Sequence, residues 1–436
     1  MISFHSCTLI SLFSKVLLIS QSSALSEASS SFQIFLPPGV ADKLIIVYED
    51  EFSSLIANTL SSYEYKERLD SYLKLTESDE IQTETNHEIS TTIDTICPED
   101  SHMKRRLLSK INTDIVFEAK YQRHINGITL HMNCISYFAL QFHALRYFYG
   151  RTRGNHENHQ EFENAMNEDF ILSLIRCNRW DAKGGKSGST FSKTHDDRYI
   201  LKEVSSNELK SFLGVALLYF EYQSNALFEQ MPTILAKIYG VYSISIEKPS
   251  SKISKHLIVM ENIFYNQSLS KIYDLKGSKR SRYIAHPEND AVLLDENLLE
   301  VMFTSPICVD EHSKAKLQAA IWNDTLFLSS LGVMDYSLLC GIHSTNNLVT
   351  VGIIDFIRQY TWDKHLETWV KSSGIMGGKG KIPTVISPKQ YKSRFREAMN
   401  IYFVMVPNKY TNFRLKKKNK NKNKNNNNNK KCQQSK

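Results

Sequence analysis

Three stretches of the 436-residue chain concentrate side chains suited to handling phosphate. The first is GGKSGSTF at 184–191, where Gly184, Gly185 and Gly188 surround Lys186 and Ser187. Glycines at that spacing let the main chain turn sharply and bring N–H groups close to an anion. A Walker A loop would need glycine at 180, and Trp180 stands there, so a P-loop is excluded. STFSKT then reads as a strand, 195–198 as a turn, and YILKEV at 199–204 as a returning strand that bears Lys202. A glycine-rich hairpin ahead of a strand lysine is how kinases cover and hold nucleotide phosphates, although alone it is equally a plain turn. Glu208 opens the next helical pattern. It either steadies the Lys202 ammonium or is a first-turn acid favoured by the helix dipole.

The second stretch is MDYSLLCGIH followed, after a Ser-Thr-Asn-Asn turn, by LVTVGIIDF. The two apolar runs form a hairpin, with Asp335 at the start of one and Asp355 at the end of the other. Acids bordering buried strands are costly unless hydrogen-bonded, paired or metal-bound. Either they cap strand ends, or one orients or deprotonates a hydroxyl while the other binds Mg²⁺. The third stretch is cationic. DLKGSKRSR at 274–282 carries Lys276, Lys279, Arg280 and Arg282 around Gly277. GGKGKIPTVISPKQYKSRFRE at 377–397 holds Lys389, Lys392 and Arg394 among its six cations, against one acid. Its Gly, Pro and Ser predict a mobile loop, and its charge with Ile382, Val385, Ile386 and Tyr391 suits a lipid headgroup at an interface. HLIVMENIF at 256–264, containing Met260, reads as a strand that presents backbone groups to a base at a hinge.

The elements that must position these groups follow from periodicity. FSSLIANTLSSYEYKERL, YFALQFHALRYFY, EFENAMNEDFILSLIRC and ELKSFLGVALLYFEYQ have helical spacing, whereas 113–121 and 128–136 alternate as paired strands around an Asn126-Gly127 turn. The fold class is α+β with two lobes. We divide the chain into a loose leader (1–31), a segment preceding the main domain (32–75), an acidic Ser/Thr linker (76–106), an N-lobe (107–262), a C-lobe (263–412) with a cationic loop at 374–396, and a Lys/Asn tail (413–436).

Composition limits the alternatives. Hydrophobic residues make up 42% of the chain, which excludes collagen-like and wholly disordered classes. The net charge of +7 is deceptive, because 416–436 contains nine Lys and no acid; removing them leaves −2 on residues 1–415. Seven scattered Cys without a CxxC pair argue for a reducing, cytoplasmic compartment and against a zinc module. LISLFSKVLLIS at 9–20 is too short to span a bilayer, and Lys15 interrupts it. No His spacing suggests a metal site, and no nucleic-acid-binding module is recognisable, so no nucleic-acid partner is expected.

In order along the chain, GGKSGSTF, YILKEV, DLKGS, MDYSLL, VGIIDFIRQYTWDKHLE and GGKGKIPTVISPKQYKSRF resemble the phosphatidylinositol phosphate kinases. GGKSGS, TWDKHLE and IPTVISPKQY resemble the type III class, the phosphatidylinositol 3-phosphate 5-kinases, and LPPGVADKLIIVYEDEFSSLIA resembles the segment preceding their catalytic domain. The resemblance covers about 35–75 and 110–410. It implies a two-lobed, protein-kinase-like fold with an antiparallel N-lobe sheet, and transfer of phosphate from ATP, with Mg²⁺, to the inositol 5-hydroxyl.

By the same resemblance, Gly184, Gly185, Lys186, Ser187 and Gly188 lie in the nucleotide loop, with Met260 at the hinge and Lys202 on the phosphates. Glu208 would partner Lys202, and Lys276 would assist at the phosphates. Asp335 becomes the catalytic aspartate and Asp355 the metal ligand, while Lys389, Lys392 and Arg394 select the lipid. The asparagine that protein kinases carry five residues after the catalytic aspartate is replaced by Cys340, so a second metal ligand must come from elsewhere. The larger type III enzymes carry a FYVE finger and a chaperonin-like domain, and the scattered Cys leave no zinc finger in these residues. The expected product is phosphatidylinositol 3,5-bisphosphate, made peripherally on endosomal or vacuolar membranes, with scaffold partners unspecified. The rivals are action on another phosphoinositide, such as the 4-phosphate, and a non-catalytic phosphoinositide-binding module.

Overall fold

The protein, seen in a computed structural model, is described over residues 16–17, 45, 47–48, 51–83, 98–122, 129–151, 159–180, 190–248, 251–288, 291–345, 348–358 and 387–407. It is α+β, and it divides into two compact units. One comprises Met1–Glu229 and Ala236–Gln267, the other Gln230–Leu235 and Ser268–Lys436.

In the first unit, β1 (Val16–Leu17) pairs antiparallel with β2 (Val47–Tyr48). The main sheet has seven strands: β3 (Ile115–Gln122), β4 (Thr129–Tyr137), β5 (Cys177–Trp180), β6 (Phe191–Thr194), β7 (Tyr199–Val204), β8 (Ile238–Lys248) and β9 (Ser251–Glu261). Their order is β3-β4-β8-β9-β7-β6-β5, antiparallel throughout. Period-two alternation explains β8, whose Tyr242, Ile244 and Ile246 are buried while Ser243 and Ser245 are half-buried. The Asn126-Gly127 turn between β3 and β4 lies outside the described residues.

The helices of this unit are α1 (Phe52–Ser61), α2 (Tyr63–Thr83), α3 (Pro98–Leu108), α4 (Ala139–Arg151), α5 (His159–Leu174) and α6 (Ser206–Phe228). The linker reading of 76–106 is corrected here: α2 continues to Thr83, and 98–108 form α3. The stretch is acidic and Ser/Thr-rich, which disguised an i, i+4 pair, Met103 and Leu107, that α3 buries.

Helix α4 is buried along its length from Ala139 to Gly150, so its polar residues need internal partners. His143 Nε2 lies 2.5 Å from Glu163 Oε1, and Asn167 Nδ2 donates to His143 Nδ1 at 3.1 Å. That second bond requires an unprotonated Nδ1, hence a neutral ring that donates through Nε2. Arg106 approaches Glu163 at 3.5 Å, and Arg146 donates to Asn167 Oδ1 and the Tyr239 carbonyl. Burial pulls His143 below its ordinary value near 6.5, against the opposing pull of Glu163. Below that ordinary value the unfolded chain takes up a proton that the folded chain refuses, so stability falls as pH drops through it. The thermal midpoint should therefore decline from pH 7.5 to 5.5, and His143→Gln should flatten that decline. An unchanged slope in the variant would remove His143 as the cause.

The second unit contains β10 (Leu269–Leu275), β11 (Val292–Leu293), β12 (Ile307–Asp310), β13 (Ser337–His343), β14 (Val349–Ile354) and β15 (Phe403–Val406), with α7 (Asp295–Val301), α8 (Glu311–Ser330) and α9 (Pro388–Tyr402). One sheet runs β11-β10-β13-β14, and β12 pairs parallel with β15. Fully buried Asp324 on α8 ties 230–235 into this unit by accepting from Thr233 Oγ1 at 2.6 Å and the Ile234 N–H at 2.8 Å.

The loop reading of 374–396 also needs correction at its C-terminal part. Residues 359–386 lie outside the described residues, but from Pro388 the chain is helical. Ser387 and Gln390 form a capping box, Pro388 occupies the first turn, and Tyr391, Phe395, Met399 and Tyr402 bury one face. Among the described residues no helix is long and apolar enough to cross a membrane.

Candidate active site

Lys202 belongs to the first unit. It sits on β7 between Phe191 of β6 and Ile258 of β9, and is only 6% exposed. The hairpin that leads to it is shaped by Asp196, which accepts from Thr194 Oγ1, Ser173 Oγ and the Arg198 N–H, while Asp197 takes a left-handed φ of 62°. Gly184, Gly185, Lys186, Ser187 and Gly188 lie outside the described residues; on either side of them β5 and β6 pair with Trp180 opposite Phe191. Met260 is half-buried on β9, opposite Ile200 and Ile238.

Glu208 lies where a helix cap wants it. Its Oε2 accepts from the Ser205 N–H and Oγ, each at 2.9 Å, while Ser205 Oγ accepts from the Glu208 N–H. Among the described residues no ion pair joins Glu208 to Lys202. The capping box explains why: the N3 carboxylate turns back toward the N-cap at the start of α6.

In the second unit, β13 and β14 pair antiparallel with Ser337 opposite Ile354. That register brings Asp335 and Asp355 to the same end of the hairpin. Both adopt left-handed main chain, with φ of 65° and 61°. Aspartate tolerates this region better than most residues, but it still costs energy that only surrounding structure can sustain. Asp335 is exposed, and Asp355 is half-buried at the strand end. Lys276 joins the same site, since its Nζ donates to the Asp335 main-chain oxygen at 2.7 Å. Cys340 is buried on β13 between Tyr273 and Val351, and desolvation pushes its thiol up to about 12.

The turn carrying Lys276 is organised by a fully buried acid, Asp295, at the start of α7. Its carboxylate accepts from the Lys276 N–H at 3.1 Å, the Gly277 N–H at 2.7 Å, Arg282 Nε at 2.8 Å and Tyr402 OH at 3.1 Å. Gly277 has φ +65°, and a Cβ there would meet Ala398 Cβ at 2.8 Å. Of the four cations at 274–282, Arg282 is thus structural, bridging Asp274 and Asp295.

On α9, Lys389 is exposed and Lys392 half-buried. Arg394 turns inward, its guanidinium over the Tyr391 ring at 4.8 Å and 3.5 Å from the Lys276 carbonyl. Arg396 stacks on Trp322 at 3.7 Å and donates to Thr325 Oγ1 and the Trp322 carbonyl, which makes it a tie to α8.

Residues 177–349 and 344–402, just over half the chain, match the phosphatidylinositol-4-phosphate 5-kinase family. The chain belongs to that family. It is 40% identical over 406 residues to the Arabidopsis thaliana protein named 1-phosphatidylinositol-3-phosphate 5-kinase FAB1A, an alignment that covers 88% of this chain and 22% of the relative. It is 51% identical over 249 residues to the Saccharomyces cerevisiae 1-phosphatidylinositol 3-phosphate 5-kinase FAB1, covering 56% and 11%. With the Homo sapiens 1-phosphatidylinositol 3-phosphate 5-kinase it shares 46% identity over 288 residues, covering 65% and 13%. The chain thus spans about a quarter or less of the length of the curated relatives it matches.

Within this family member, three residues escaped the reading of the sequence: Asp295, Tyr402 and the hydroxyl of Tyr391. Asp295 reads as an ordinary first-turn acid of α7, and its link to Lys276 spans 19 residues. Tyr391 was placed with the lipid-facing residues of a loop, whereas it and Tyr402 are buried on α9.

Proposed function

We propose that this chain is the catalytic portion of a phosphoinositide kinase that moves the γ-phosphate of ATP to the 5-hydroxyl of phosphatidylinositol 3-phosphate, giving the 3,5-bisphosphate. The observation that carries the reading is the pair Asp335 and Asp355, both left-handed, at one end of a hairpin whose Asp335 carbonyl is held by Lys276. The names of the relatives supply the substrate.

In this reading the fold is kinase-like and two-lobed. Lys202 and the glycine run hold the ATP phosphates, and Met260 lies at the base of the nucleotide. Asp335 accepts the proton of the 5-hydroxyl as its oxygen bonds the γ-phosphorus and the bond to ADP breaks. Mg²⁺ in kinase sites generally takes only one or two protein carboxylates beside substrate phosphates. Asp355 fits that requirement; among the described residues no group of three or more His, Cys, Asp or Glu makes an all-protein cage. When bound, the ion neutralises charge on the phosphates. Lys389 and Lys392 meet the headgroup from the first turns of α9, and Glu208 serves only the cap. The enzyme works peripherally, on endosomal or vacuolar membranes.

The family's name, which carries the 4-phosphate, favours one rival substrate. Radiolabelled ATP with vesicles containing phosphatidylinositol, its 3-phosphate or its 4-phosphate separates the readings. Label is expected on the 3-phosphate vesicles foremost. Preference for the 4-phosphate would overturn the substrate, and no label on any vesicle from folded protein would overturn the enzyme.

A further inference from the structure

Two consecutive carbonyls of the turn at Asp335 are held by side chains from two different elements. Lys276 Nζ takes the Asp335 oxygen at 2.7 Å, and the hydroxyl of Tyr391 on α9 donates to the Tyr336 oxygen. Lys276 is already expected, from the resemblance, to assist at the phosphates. Tyr391 was expected at the lipid interface, yet it is 1% exposed and its ring packs edge-on against Tyr336 at 4.8 Å. Phe395 closes the cluster at 5.0 Å from Tyr336. Burial, with Tyr336 and Asp335 nearby, pushes the Tyr391 phenol well up, so it remains a donor. A left-handed aspartate persists only where its neighbours over-determine it, and Gly332, at φ +71°, shows that the turn is tightly wound.

We infer that Tyr391 is a positioning residue for the reaction: its hydroxyl fixes the Tyr336 carbonyl, and thereby the main chain that aims the Asp335 carboxylate at the acceptor hydroxyl. This rests on the kinase reading above. The segment before α9 and the first turns of α9 carry the cations proposed to meet the lipid. One short helix therefore presents both the headgroup contacts, Lys389 and Lys392, and the bond that sets the acid between them and the phosphate.

Tyr391→Phe deletes the hydroxyl and keeps the rings. Kinetics on phosphatidylinositol 3-phosphate vesicles and amide exchange across 333–337 are measured on the same preparations. Exchange is expected to quicken by at least about tenfold as the turn loosens. The kcat per folded molecule should fall about 10–100-fold, with KM for ATP and for lipid nearly unchanged, as expected when orientation alone is lost. Adding Tyr391→Phe to Asp335→Asn should cost little more, because both act on one group. Unchanged exchange would overturn the inference whatever the activity, and so would quickened exchange with unchanged kcat. A wild-type chain that labels no lipid would instead sink the kinase reading on which the inference depends.

Discussion

Asp335→Asn is expected to lower phosphoryl transfer per folded molecule by about 10²–10⁴-fold while leaving the fold and ATP binding intact. Asparagine matches aspartate in shape and enters the left-handed region as readily, so the φ of 65° is no obstacle. The side chain is exposed, so no packing is lost. Lys276 bonds the main-chain oxygen rather than the carboxylate, and that contact survives the change. What disappears is the ability to accept a proton from the attacking hydroxyl. Label transfer to vesicles, alongside calorimetric ATP binding and thermal unfolding, checks the expectation. Activity within about threefold of wild type would transfer the acid–base role to another group.

Asp295→Ala should carry the largest stability loss of any single change at this site. The carboxylate is wholly buried, and it is the shared acceptor for two main-chain N–H groups, Arg282 and Tyr402. Removing it strands those donors and leaves Arg282 with Asp274 as its remaining acid. Breaking a buried ion pair from one side costs about 3–5 kcal/mol. Asp295→Asn keeps one acceptor oxygen and should fall between the two. Denaturant unfolding gives the difference directly, and a loss below about 1 kcal/mol would mean that the donors find other partners. Because the Lys276 turn hangs on this acid, activity should fall with stability, and Lys276→Ala in the Asp295→Ala background should add little.

Comparison of particular elements separates what was legible from what was not. YILKEV and the apolar runs around the Ser-Thr-Asn-Asn turn read correctly as strands, because a short apolar run bounded by turn residues is a local signal. Glu208 stayed open in the sequence because two physical demands, capping and pairing with Lys202, predict the same residue type at the same place, and folding turns its carboxylate to the cap. The helix at 388–402 was legible in principle, since Ser387-Pro388-Lys389-Gln390 is a helix start followed by apolar residues at helical spacing. The Gly, Pro and Ser that precede it pointed to a loop instead. Asp295 was not legible at all: an acid opening a helix is commonplace, and nothing local distinguishes one that gathers donors from three distant segments.

The net charge of +7 belongs to the lysine tail, and it was the ordered motifs, with the local cations at 276–282 and 379–396, that led to the expectation of ATP phosphates and an inositol lipid. So much follows from sequence by itself, because residue type and short-range spacing decide which chemistry a segment is able to perform and which strand or helix carries it. Tertiary structure alone decided which cations are free for a ligand and which are consumed by the fold. Arg282, Arg394 and Arg396 are bound to Asp295, the Lys276 carbonyl and Trp322, whereas Lys389 stands open. It also decided that Asp335 and Asp355 are left-handed and that the Tyr391 hydroxyl bonds the Tyr336 carbonyl beside Asp335. The reason is physical: burial and hydrogen-bond partnership are set by residues far apart in the chain, and those distances close only on folding.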